Sequence, residues 1–137
     1  MLPRMIITSI LVVVLVACGG SPSTAVTGQS VIDAMKTSGI QVENVKPGEL
    51  PADAPVPRSF KENITFTVPR LGDKGGQIFV CDTKKNCDAI YAYYDALKAL
   101  AGPYLYQSPN GTVVAQLNSG LTPDEAKQFE QVISSLK

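Results

Sequence analysis

Two of the three cysteines, Cys81 and Cys87, stand close together in the segment CDTKKNCD. Such a pair can form a structural disulfide, remain as two free thiols, or carry out thiol redox chemistry. Five residues separate these cysteines, whereas only two separate a thioredoxin-type pair, so the spacing argues against redox catalysis. We expect a structural disulfide if the protein is exported, because disulfides persist in oxidising compartments. Two free thiols are the alternative.

The third cysteine, Cys18, follows a short apolar segment. Residues 6–16 are apolar apart from two hydroxyl residues, and Arg4 precedes them. The segment is far shorter than the roughly 20 residues of a membrane-spanning helix, and it fits a secretory signal instead. The residues LVAC at 15–18 resemble the bacterial lipobox. That resemblance implies that the cysteine thiol receives a diacylglyceryl group and that the chain is then cut before Cys18.

The lipobox resemblance divides the sequence into three segments. Residues 1–17 are expected to be a signal peptide, and residues 18–30 a lipidated cysteine with a flexible linker that is small, polar and uncharged. Each buried CH₂ of a fatty chain such as palmitate contributes about 0.8 kcal/mol, so two or more chains anchor stably. We therefore expect a lipid-anchored protein on the extracytoplasmic face of the cell membrane, or on the outer membrane of a diderm bacterium. An ordinary secretory signal and an uncleaved anchor are the alternatives.

Composition excludes several classes of function. The sequence has no histidine, which excludes a Ser-His-Asp triad, a Cys-His dyad and any histidine-ligated metal site. The 12 basic residues balance the 12 acidic ones, so a nucleic-acid partner is not expected. Asp73, Asp82 and Asp88 suggest a calcium loop, but Lys84 and Lys85 lie between the last two, which favours solvated and helix-capping carboxylates. We expect no enzyme activity, no metal and no cofactor.

Hydrophobic periodicity predicts an α+β fold in the order α-ββ-α-ββ-α. The predicted elements are a helix at 31–38, strands at 64–68 and 77–81, a helix at 88–100, strands at 104–108 and 112–117, and a helix from 122 onward. The expected architecture is a two-layer sandwich, with helices on one face of a four-stranded antiparallel sheet, formed by residues 31–137 as a single domain. Four prolines predict that residues 47–57 cross the surface as a loop or strap.

Several local signals sharpen this prediction. Asn110-Gly111 predicts a type I′ hairpin turn that aligns Tyr106 with Ala115. Thr122-Pro123, with a glutamate three residues after the threonine, predicts a capped helix start. The apolar stripe predicted for the 88–100 helix consists of Ile90, Tyr93, Tyr94, Leu97 and Leu100. All five tyrosines lie within residues 91–106, where core packing and stacking on a glycan or partner are both possible roles.

The stretch from Gly75 to Ile133, with its SPNG turn and LTP helix start, resembles small uncharacterised bacterial lipoproteins. These proteins have a lipobox, a Ser/Thr/Gly linker and one domain of this kind. The resemblance covers about residues 30–137 and implies a secreted domain on a lipid tether. It implies no catalytic or ligand-binding residues.

The sequence therefore favours a non-catalytic binding or interaction module at the cell envelope. Besides the bilayer itself, the expected partner is an envelope protein or an extracellular ligand, bound through an exposed sheet face or through residues 47–57. An inhibitor of a secreted hydrolase, which would present residues 47–57, is one alternative. The other is a small carboxylate-based enzyme or ligand carrier, which needs a pocket with at least two converging carboxylates.

Overall fold

The computed structural model describes residues 25–137, which form one five-stranded antiparallel sheet flanked by helices. In chain order the elements are α1 (Gly28–Thr37), β1 (Glu43–Pro47), β2 (Glu62–Thr67), a 3₁₀ turn (Pro69–Leu71), β3 (Gly75–Val80), α2 (Lys84–Ala96), α3 (Lys98–Ala101), β4 (Leu105–Gln107), β5 (Val113–Leu117) and α4 (Pro123–Ser135). The strands are ordered β1-β2-β3-β5-β4 across the sheet. The predicted signal peptide and Cys18 lie outside the described residues.

The α+β class and the antiparallel sheet are confirmed, but the predicted number of four strands and the predicted element order are wrong. The additional strand, β1, pairs with β2 at one edge of the sheet. Four of its five residues are exposed, and a bulge lies between Glu43 and Lys46, with Asn44 at a φ of 49°. An exposed, bulged strand has no alternation of apolar and polar residues, so the pattern that identifies strands is absent here.

Helices cover both faces of the sheet, so the predicted two-layer arrangement is also wrong. On one face, Ile78 and Val80 of β3 pack with α1 and α4 in the first core cluster. On the other face, Phe79 packs with Ile90 and Tyr94 of α2 in a second cluster. The central strands carry uninterrupted apolar runs, and such runs are typical of strands that are buried on both sides.

The two long terminal helices begin at capping boxes. In α4, Thr122 and Glu125 exchange the two bonds of the box as predicted. In α1, Thr27 is the cap residue and Ser30 occupies the third helical position, so the helix begins three residues before the predicted start. The first three helical residues therefore belong to the segment that was predicted to be flexible linker.

The second hairpin has the predicted register but a different turn. Tyr106 pairs with Ala115, as predicted. Only Gly111 has a positive φ, of 77°, whereas a type I′ turn requires positive φ at both Asn110 and Gly111. The N–H of Gly111 donates to the carbonyl of Ser108, which closes the turn around Pro109 and Asn110. The proline fixes a negative φ at its own position, and this favours a four-residue loop.

The apolar stripe predicted for residues 88–100 is only partly buried. Ile90 and Tyr94 lie in the core, whereas Leu100 is 87% exposed. The reason is a break in the helix, because α2 ends at Ala96 and the chain restarts as α3 at Lys98. The break ends the helical phase that would otherwise have placed Leu100 on the buried face.

Close approach of two strands at Gly75 yields a test of the sheet. A methyl group at this position would overlap the carbonyl oxygen of Phe66 and lie 2.6 Å from the Cα atom of Thr67. We expect Gly75→Ala to lower the free energy of unfolding by about 1–3 kcal/mol, because backbone atoms must move to accept the methyl group. Chemical denaturation measures the loss. The neighbouring Lys74→Ala, at an exposed position, should change stability by less than about 0.5 kcal/mol; equal effects would contradict the packing.

Candidate functional site

The cysteine pair connects the central strand to the helix on the second face. Cys81 and Cys87 form a disulfide, with Cα atoms 5.6 Å apart, and both residues are buried. The bond closes a loop from the end of β3 to the first turn of α2, and a loop of this size contributes about 2.4 kcal/mol by the chain-entropy relation. Because both cysteines are buried, the disulfide is a structural bond within the core.

The three aspartates that suggested a calcium loop do not converge. Within residues 25–137, no group of three His, Cys, Asp or Glu side chains comes together as a metal site requires. Asp88 instead accepts bonds from Lys84 at 2.7 Å and from the Gln107 amide at 2.9 Å. These bonds lower the pKa of the Asp88 carboxyl, with the Lys84 bond contributing most. Asp88 therefore links α2 to β4 through its bond with Gln107.

The tyrosines pack between elements. Tyr94 is buried, and its hydroxyl accepts a bond from the Gln77 amide at 3.0 Å. Burial is the main cause that raises its pKa. Tyr93 packs edge-on against Tyr94, with ring centroids 5.1 Å apart. The remaining three are half-buried against the core clusters. Packing therefore accounts for most of the tyrosine surface, and only partly exposed edges face solvent.

The proline-rich segment is a strap that packs on the second sheet face. Leu50, Ala54 and Val56 turn inward against the second core cluster. The guanidinium of Arg58 donates to the carbonyl oxygens of Leu50 and Pro51, which holds the strap closed. Together with α2, the strap covers apolar parts of a sheet face. From the sequence, an exposed sheet face was one expected binding surface for a partner.

The sheet has two distinct ends. At one end, which we call the tether end, Ala25 and Val26 line a surface cleft together with Lys61, Val80 and Lys137. Helix α1 starts at this end and runs toward the opposite end, where Gly39 lies beside residues 68–70. The strands between the two ends are up to six residues long, which corresponds to about 20 Å. The chain therefore enters the domain about one strand length from the opposite end, which we call the tip.

A pocket of about 300 Å³ opens at the tip, between the end of α1, the 3₁₀ turn and the start of α4. Its apolar lining comes from the buried side chains Ile40, Val68, Leu121 and Phe129. Its polar lining includes Gln41, Arg70, Glu125 and Gln128. An apolar interior with a few polar groups at the rim is the usual form of a small-molecule site.

An ion pair forms one wall of the tip pocket. The Nε atom of Arg70 donates to Glu125 Oε1 at 2.6 Å, and its Nη2 atom donates to the other carboxylate oxygen and to the Gly120 carbonyl at 3.0 Å. The side chains are 51% and 31% exposed, so water screens the pair and its contribution to stability is small. The Nη1 atom of Arg70 has no protein acceptor among residues 25–137. The pair thus fixes the Arg70 guanidinium at the pocket rim, where Glu125 balances its charge and the Nη1 group is left to donate to a ligand.

Glu125 has two roles at once. One carboxylate oxygen also accepts the N–H of Thr122 at 2.7 Å, which completes the capping box of α4. The Arg70 bond, followed by the Thr122 backbone bond, lowers the pKa of Glu125 from 4.5 to about 2. A carboxylate-based enzyme would need a second converging carboxylate, whereas Glu125 is the one carboxylate among the described residues that line this pocket.

The sequence did not identify the tip pocket, because three distant segments build it. Glu125 was predicted only as a helix cap, and Arg70 follows a proline in an apparent turn. Comparisons with models of protein families, with curated proteins and with solved structures found no match to this chain. None of the helices formed by residues 25–137 has the length and apolar character of a membrane span.

The low pKa of Glu125 provides a test of the pocket wall. The ionised Glu125 carboxylate stabilises the folded state fully above about pH 4.5, and this contribution is lost as the pH falls through about 2. We expect the Glu125 carboxyl carbon to titrate near pH 2 in an NMR pH series. Arg70→Gln should raise that midpoint part of the way toward 4.5, since the Thr122 bonds remain. Lys74→Gln should leave it unchanged; a wild-type midpoint near 4.5 would contradict the ion pair.

Proposed function

We propose that the protein is a lipid-anchored, non-catalytic binding module of the bacterial cell envelope. The observation that carries the proposal is the placement of the tip pocket about one strand length from the tether end. A lipid on Cys18 would hold the tether end near the bilayer, and the pocket would then lie at the end of the domain farther from the membrane. Such a geometry suits the capture of a ligand or partner from outside the cell.

Two further observations support an extracytoplasmic location. The residues LVAC at 15–18 resemble a lipobox after a signal-like apolar segment. The Cys81–Cys87 disulfide is buried in the core, and structural disulfides are characteristic of proteins in oxidising compartments. Export and the disulfide thus agree, although they rest on different parts of the chain.

The lining of the tip pocket indicates the chemical class of the ligand. The floor offers aliphatic and aromatic carbon, and the rim offers the Nη1 donors of Arg70, whose charge Glu125 balances, beside two glutamine amides. An amphipathic ligand with one small apolar group and an anionic or strongly accepting end satisfies both parts. The volume, about 300 Å³, suits a single ring or a short acyl chain.

Replacement of Cys18 tests the anchor. Wild-type protein expressed in a bacterial host should partition into the detergent phase of a Triton X-114 extraction and carry the mass of its acyl groups. Cys18→Ala should lack the acyl mass and keep the uncleaved residues 1–17, because no thiol is left to receive the lipid. The linker variant Ser21→Ala should behave as the wild type. A wild-type protein without the acyl mass, or Cys18→Ala with the same mass increment as the wild type, would refute lipidation.

A small amphipathic acid tests the pocket. We expect 3-phenylpropanoate, titrated into ¹⁵N-labelled protein, to shift amide signals of residues 39–41, 68, 70, 121–122 and 124–129. Arg70→Gln should weaken binding about tenfold, because a charged hydrogen bond to the carboxylate is lost. The nearby Lys74→Gln is the matched control and should bind as the wild type does. Shifts that map elsewhere, or equal affinity of Arg70→Gln, would exclude this pocket as an anion-assisted site.

A further inference from the structure

The two edges of the sheet are built differently. At the β1 edge, a bulge, the positive φ of Asn44, the charge of Lys46 and the closing Pro47 all hinder pairing with another strand. The opposite edge is β4, whose three residues Leu105–Gln107 contain no proline, lysine or bulge. Of the devices that usually block edge pairing, β4 has its short length but no bulge, proline or lysine.

The hydrogen bonds around β4 show which backbone groups face outward. The Tyr104 carbonyl accepts from Leu117 at 2.9 Å, and the Ser108 N–H donates to Val113 at 3.0 Å. Backbone groups alternate in direction along an antiparallel strand, so Tyr106 also bonds to β5. The N–H and carbonyl groups of Leu105 and Gln107 therefore point away from the sheet, and they offer two donors and two acceptors to a further strand.

A groove follows this edge between the two helices that flank it. Its volume is about 520 Å³. Tyr91 of α2 lines one side, Glu130 and Ser134 of α4 line the other, and β4 forms the floor. The Gln107 side chain bonds to Asp88 and to the Gly111 carbonyl at 2.9 and 3.0 Å, which fixes the edge in its extended form. An edge that is already ordered loses little entropy when it binds.

We propose that this edge groove binds an extended segment of a partner polypeptide, which pairs antiparallel with β4 as a sixth strand and places a basic side chain against Glu130. Main-chain bonds to Leu105 and Gln107 supply affinity, and the alternating side chains of the segment meet α2 on one face and α4 on the other. Glu130 is the charged residue of the groove lining. Burial of Tyr106, and after it the charge of Glu130, raises the pKa of the Tyr106 hydroxyl.

The chain itself could supply two other occupants of the groove: β4 of a second copy, and the linker. The charge of Glu130 disfavours both. In a symmetric pairing of two β4 strands, Tyr106 would face its copy, and the Glu130 carboxylates of both chains would approach each other on one face, where like charges repel. The linker residues 19–27 have no charged side chain to offer Glu130. A basic extended segment of another protein meets both the backbone and the charge requirement.

Two designed peptides test the proposal with the purified full-length protein. Acetyl-Val-Lys-Val-Lys-Val-amide presents lysines on one face, and acetyl-Val-Glu-Val-Glu-Val-amide is its charge-reversed control. We expect the lysine peptide to bind and to slow amide hydrogen exchange at Leu105 and Gln107 in NMR spectra. N-methylation of one alternating set of peptide residues should abolish binding, and methylation of the other set should be tolerated, because only every second residue bonds to β4.

Variants at Glu130 test the charge. Glu130→Gln should weaken the lysine peptide several-fold, and Glu130→Lys should reverse the preference so that the glutamate peptide binds about tenfold better. Asp33→Lys, a matched reversal at an exposed acid of α1, should leave the preference unchanged. Unchanged exchange at Leu105 and Gln107 with both peptides would overturn the proposal. Protection of these amides without peptide, together with a concentration-dependent dimer in sedimentation, would assign the edge to a second copy and would also overturn it.

Discussion

Burial of the central strands on both faces is the constraint on which the rest of the structure depends. Ile78 and Val80 of β3 face one side of the sheet, Phe79 faces the other, and all three are almost inaccessible to water. Each buried side chain of this size contributes about 1.5–3 kcal/mol, so neither face can remain open. Helices α1 and α4 cover the first face, and α2 with the proline-rich strap covers the second. The disulfide joins the end of β3 directly to α2, and so connects the sheet to its second layer.

The tip pocket is a consequence of how α1 and α4 cover the first face. Helix α1 runs toward the tip and α4 runs away from it, so the end of one helix meets the start of the other above the 3₁₀ turn. The last turn of α1 leaves core side chains such as Ile40 and Phe129 at the base of an opening. Glu125 joins α4 to the turn through Arg70, and the same carboxylate caps the helix. One residue therefore couples the start of α4 to the shape of the pocket wall.

Sequence patterns predicted the features that depend on neighbouring residues. They did not predict the features that depend on contacts between distant segments. The α4 cap depends on residues within one turn, and the Tyr106–Ala115 register follows from the hairpin alone. Strand β1 was missed because it is paired at an exposed edge, where burial leaves no pattern in the sequence. The second helical layer was missed although runs such as Ile78-Phe79-Val80 carry its signal, because alternation was assumed for the strands. The tip pocket joins three distant segments, and its identification requires the fold.

The early start of α1 limits how the two proposed binding surfaces can work on a membrane. Because the helix begins at Gly28, only residues 19–27 lie between Cys18 and the domain, and nine residues span at most roughly 30 Å. A lipid on Cys18 would keep the tether end within that distance of the bilayer, while the tip lies about 20 Å further along the sheet. The β4 edge runs along the side of the domain between these ends. A soluble ligand could then reach the pocket from outside, and the β4 edge would also lie within reach of a neighbour on the same membrane.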